Sequence, residues 1–226
     1  MVNPIRSALS CIAPQTREPE AAPQVGPGFP GDPNQKQLGP CGRPIGGYRE
    51  IGMARDSGWQ MDVQACEGGG VPTPYLSPTE RAKFEVTVGK DDHRLYQRDA
   101  ENRPLRIHTA EGNPFLYAMD KDGHIYAAHE SDVRHHSAFL AGRPGAAFGI
   151  LVVKEGEIQY LDNQSGHYLP PADHGYQMVH ELKARGVKVP KDRVVLQASR
   201  AQIRKFGLEP TMRLCPDAQH IKATKY

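Results

Sequence analysis

What is scarce in these 226 residues bounds the molecule first. The apolar share is 38%, under the roughly 45–50% of ordinary globular chains, a benchmark that also counts glycine. With 20 prolines and 23 glycines besides, this predicts one real core and a long segment without one. Formal charge is nearly balanced at +2, which gives no argument for nucleic acid or a membrane surface as partner. No run of about 18 apolar residues exists, so no membrane-spanning helix is expected. The apolar patch at 8–13 is too short for a secretory signal and is broken by Ser10. The four cysteines, Cys11, Cys41, Cys66 and Cys215, form no C-x-x-C pair and no regular spacing with histidine. They read as free thiols of a reducing compartment, not as a zinc site. No motif names a cofactor.

Residues 13–47 carry proline and glycine every few positions and no apolar period, so they cannot bury enough surface to offset ordering. The expectation is a disordered, linker-like leader over 1–74, with a short docking element at 48–66 around Trp59, followed by a single domain over 75–226. Ser77, Pro78 and Glu80 have capping-box spacing. Residues 84–88 and 94–98 alternate as a hairpin, and 104–108 suits an edge strand. Phe115 to Met119, then Asp120-Lys-Asp-Gly123, then His124 to Ala128 is the clearest hairpin, because Asp-Gly supplies the positive φ of a tight turn. Asp120 and Asp122 do not continue into a calcium loop.

Residues 146–153 are apolar on both faces and read as a central strand. After the Glu155-Gly156 turn, residues 157–161 pair with it, with Ile158, Tyr160 and Asp162 on one face and Gln159 and Leu161 on the other. A helix over 172–185 puts Met178, Val179 and Leu182 on its buried side and stops at Gly186. Residues 193–197 read as a strand, 199–206 as a short basic helix, and the tail from Leu208 as irregular. From Glu181 to the end there are 11 Lys/Arg against 4 Asp/Glu, which reads as a solvated basic face. The predicted class is α+β, a mostly antiparallel sheet with one principal helix.

Two segments flanking the central strands carry the chemistry: His136-Ser-Ala-Phe-Leu-Ala-Gly142 and Ser165-Gly-His-Tyr-Leu-Pro170. A nucleophile needs a base within hydrogen-bond reach. As an enzyme, the chain would use His136, Ser137, His167 and Tyr168 as candidate catalytic groups, with Arg134, Arg143 and Ser165 as candidate binding groups. Glu155-Gly-Glu157 after His-Ser has the order found in ADP-ribosyl transferases, though it reads first as a hairpin turn with exposed acids. Alternatively the same histidines and serine are structural, bonding loop backbone in a protein-interaction module. A metal site from His135, His136 and His167 with Asp162 matches no zinc spacing. Asn163-Gln-Ser165 fits the glycosylation pattern, but nothing else in the sequence argues for a secretory route.

Tyr75-Leu-Ser-Pro-Thr-Glu-Arg, Phe84-Glu-Val-Thr-Val, Leu116-Tyr-Ala-Met-Asp and the two segments above resemble the C-terminal domain of plant IQ-motif-containing calmodulin-binding proteins (IQM type). The resemblance covers roughly 75–196. It implies a fold neighbourhood and a protein partner rather than a chemistry. The family's second serine is Ala138 here. No IQ motif matches: Leu196-Gln197 begins one, but the arginine falls at Arg200 and no glycine follows, so calmodulin binding does not carry over. A plant-like domain behind such a leader leads to the expectation of a soluble, effector-like or regulatory protein, cytoplasmic or delivered into a host cell.

Overall fold

Continuous apolar runs in the middle of the chain produce strands buried on both faces. The computed structural model describes residues 46–54 and 73–197, with the backbone of 213–214 and 223–224. Helix α1 (Pro78–Ala82) leads into β1 (Glu85–Val88), β2 (Leu95–Arg98) and β3 (Pro104–Arg106), then β4 (Phe115–Met119) and β5 (Ile125–His129). A single-turn helix α2 (Glu130–Val133) and a 3-10 turn at His136–Ala138 precede β6 (Ala147–Lys154) and β7 (Glu157–Asp162). Helix α3 (Ala172–Ala184) crosses to β8 (Val194–Gln197), and two-residue strands β9 (Arg213–Leu214) and β10 (Ala223–Thr224) follow. The sheet order is β10-β9-β8-β7-β6-β4-β5-β1-β2-β3. All pairings are antiparallel except β7 with β8, which the α3 crossover makes parallel. The fold is thus α+β and mostly sheet, with β3 on the predicted edge.

In β4, Phe115, Tyr117 and Met119 enter the core beneath α3, while Leu116 and Ala118 enter a second cluster on the opposite face. Ile125 and Ala127 of β5 join the first and Tyr126 and Ala128 the second. From α3 the first cluster receives Ala172, Tyr176, Met178, Val179 and Leu182, and Gly186 ends the helix at φ 83°. Ser77 and Glu80 complete the reciprocal capping box. The β4–β5 turn closes through Gly123 at φ 85°, with Asp120 Oδ1 accepting from the backbone N–H of Asp122 and His124.

The structure departs from the sequence reading at three places. The β6–β7 register shifts between Val152 and Val153, where Val153 pairs with Ile158 but Val152 with Tyr160. Gln159 is therefore a bulge, and parity flips across it: Ile158 and Leu161 both enter the helix-side core, rather than lying on opposite faces. The tail contributes β9 and β10 where an irregular chain was expected. Asn163 is buried, bonding the carbonyls of Pro170 and Gln197 and accepting from Gln197 N–H, so it offers no atom to a glycan. The basic helix expected at 199–206 lies outside the described residues, as does the chain before residue 46 and over 55–72.

Residues 46–54 run extended against the domain. Tyr48 is buried beside α3, and Ile51 forms a two-way backbone bridge with Gly145.

Candidate functional site

The sheet face opposite α3 carries the second cluster, covered by the 3-10 turn at His136–Ala138, the bend at 141–145 and the loop at 163–169. These are the two segments singled out above, and β6 holds them in register. The turn arises because α2 ends at Arg134, which adopts φ 48°, and the chain re-enters a helical turn two residues later. His136 and Ser137 therefore sit on a helical turn.

His136 is buried and its Nε2–H donates to the Gly149 carbonyl at 2.9 Å. Burial pulls its pKa down to about 4, the bond to Gly149 opposes this, and the nearby His167 and His135 lower it further. The ring is neutral at pH 7, with the proton on Nε2. Gly149 is required where it stands: a Cβ there would lie 2.1 Å from the Asp162 carbonyl oxygen. Asp162 is equally committed. Its Oδ1 accepts from Ile150 N–H at 2.8 Å and Gln164 N–H at 2.9 Å, and its Oδ2 from Tyr160 O–H at 2.9 Å. Burial pushes this carboxyl up, and those bonds pull it back.

Tyr168 lies flat on Phe148, centroids 3.6 Å apart and planes 13° apart. Its hydroxyl donates to the Arg143 carbonyl at 3.0 Å, and its N–H reaches Ser165 Oγ at 3.4 Å. His167 is buried, and its ring lies 4.7 Å from that of His135. Ser137 has no exposure, and its Oγ has no hydrogen-bond partner among the described residues. Arg134 and Arg143 are exposed at the rim, and Arg143 Nε donates to the Leu140 carbonyl.

The structure thus gathers His135, His136 and His167 into one neighbourhood, with Tyr168 packed beside them on Phe148. It buries His136, His167 and Tyr168 and leaves His135 half-buried. Among the described residues no three His, Cys, Asp or Glu side chains are placed to hold a metal, because His136 Nε2 and both Asp162 oxygens are spent on the protein itself. Glu155 and Glu157 flank a tight turn, at φ 49° for Glu155 and 76° for Gly156, and pair with His108 and Arg94. A groove of about 420 Å³ lies elsewhere, between Glu85, Val88, Lys90, His93, His124 and Arg185. Sequence reasoning missed Gly149 and Asn163 as organisers; a lone glycine inside an apolar strand was the available signal for the first.

Comparison with known proteins gives the same family as the motifs. Residues 80–175 match the IQ motif-containing protein middle domain, which places the resemblance in the middle rather than at the C-terminal end of the family's architecture. IQ domain-containing protein IQM3 of Arabidopsis thaliana is 29% identical over 139 residues, covering 59% of this chain and 29% of that protein. IQM4 of the same plant is 30% identical over 114 residues, covering 50% and 20%. IQM5 is 28% identical over 116 residues, covering 51% and 22%. The match spans under a third of each of these relatives. The family-model match begins within α1 and ends in the first turn of α3, so it contains both site segments. No solved structure matches. No described helix is long and apolar enough to cross a membrane.

Proposed function

We propose that this chain is a regulatory protein-interaction module, in which the IQM-like domain is a rigid recognition body and not a catalyst. The observation that carries this reading is where the polar atoms go: His136 Nε2–H and Tyr168 O–H, both buried, are spent on the carbonyls of Gly149 and Arg143. An imidazole held near 4 is a weak general base at neutral pH. The serine and histidine segments then set the shape of the loops, and recognition falls to the surfaces they present.

The test is partner capture by the full chain and by Ser137→Ala. Retained capture and an unchanged cellular effect support the module; loss of effect in a folded Ser137→Ala chain overturns it. A transferase or hydrolase using Ser137 is the second reading, favoured by that hydroxyl's lack of a hydrogen-bond partner among the described residues. Labelling of Ser137 by a serine-directed probe, or transfer from labelled NAD, would establish it. Calmodulin is a partner to be measured directly, with and without calcium. Delivery into another cell is tested by a translocation reporter fused to residues 1–74.

A further inference from the structure

Residues 46–54 are held as a bound peptide is held. Tyr48 N–H donates to the Lys121 carbonyl at 2.7 Å, and its phenol enters a pocket where it donates to buried Glu181 at 2.8 Å beside His180 Nδ1 at 3.0 Å. The Gln177 amide then acts as a surrogate strand: Oε1 accepts from Arg49 N–H and Nε2 donates to the Arg49 carbonyl, each at 2.9 Å. The Arg49 guanidinium pairs with Asp173. Ile51 exchanges two backbone bonds with Gly145, and Ala54 N–H donates to the His167 carbonyl at 2.8 Å. Ile51 and Met53 turn inward onto the second cluster, while Glu50 and Gly52 face solvent. Main-chain bonds give affinity and alternate side-chain pockets give selectivity, the logic by which an extended peptide is read.

We propose that the groove from Lys121 over Gln177 and Gly145 to His167 is a recognition site for an extended peptide of the form Tyr-Arg-x-Ile-x-Met. The chain fills it in cis with its own residues 48–53. The partner it fits is therefore an extended segment with a phenol first, a guanidinium second and apolar side chains at the fourth and sixth positions. A further observation favours a ligand site over an ordinary strand. Asp173 is buried, and its Oδ1 has no hydrogen-bond partner among the described residues, which leaves an acceptor for a second guanidinium N–H. Tethering gives the strap a high effective concentration, so a free peptide competes only after the tethered copy is weakened. This inference rests on the interaction-module reading and specifies its surface.

The test uses the full chain and a labelled peptide of residues 46–54. Arg49→Asp should bind the peptide at least about 10-fold more tightly than the unaltered chain, because the strap then faces Asp173 with like charge. In Asp173→Arg, where the strap's Arg49 faces like charge, the preference should shift by a similar factor to a peptide with aspartate at the second position. Equal peptide binding by the unaltered and Arg49→Asp chains, or no preference change with Asp173→Arg, overturns the proposal. Hydrogen exchange on the unaltered chain guards against misfolding of the variants: the Tyr48, Ile51 and Ala54 amides should exchange at least about 100-fold faster than those of β4 and β6. Equal protection would make the strap an integral strand and also overturn the proposal. Peptide exchange without any captured protein partner would sustain the groove while removing the interaction-module reading; capture without peptide exchange would do the reverse.

Discussion

Gly149→Ala is the substitution for which the structure sets the largest cost. A methyl at that position would lie 2.1 Å from the Asp162 carbonyl oxygen, 2.8 Å from its carbonyl carbon and 2.9 Å from the Tyr117 ring. Two of those atoms are backbone of the neighbouring strand, so relief requires β6 and β7 to separate by about 1 Å, the shortfall from ordinary van der Waals contact. Moving them strains the Ile150 N–H bond to Asp162, the Tyr117 O–H bond to the Asp162 carbonyl at 2.7 Å and the His136 bond to Gly149 itself. Overpacking costs roughly 1–3 kcal/mol and each compromised buried bond about 1 kcal/mol more, so the expected loss is at least about 3 kcal/mol. Gly166→Ala is the control, since nothing lies within 4 Å of a Cβ there, and it should stay within about 0.5 kcal/mol. Urea denaturation of the two variants against the parent reads the difference. Equal stability of both would refute the strand packing on which the site geometry rests.

Ser137→Ala should be neutral or slightly stabilising by thermal denaturation, because it removes a buried hydroxyl that has no hydrogen-bond partner among the described residues. Tyr48→Phe should cost about 1.5–3 kcal/mol, the range for a bond to a charged group, since buried Glu181 then loses the phenol as a donor; urea midpoints check this. Acid should destabilise the fold through His136 and His174, both held at about 4 mainly by burial. The unfolded chain takes up these protons near pH 6.5 and the folded chain only near 4, so stability is complete above about 6.5 and falls as pH drops towards 4, by about 3 kcal/mol per histidine. Denaturation at a series of pH values should lose about half of that dependence in His174→Asn.

Local signals carried far in this chain. The Ser77 capping box, the Asp120–Gly123 turn and the Gly186 stop each depend on neighbours within a few residues, and each stands in the structure as read. The apolar run over 146–153 announced a strand covered on both faces, and β6 is one. What was not legible depends on partners distant in sequence. The bulge at Gln159 answers to β6 and leaves no mark in the alternation of β7. The strap closes through Gln177 and Gly145, 128 residues away in the first case, and no local pattern encodes that pairing. The histidine cluster could be guessed from composition, but the direction of each ring nitrogen was set by carbonyls of the folded chain.

The measurement closest to the central claim is the titration of His136 by NMR. A structural His136 should show a pKa below 5, a single tautomer with the proton on Nε2, and slow exchange of that proton because it is bonded to the Gly149 carbonyl. A pKa near 6.5 with a rapidly exchanging ring proton would make His136 an accessible base and contradict the structural role argued for it.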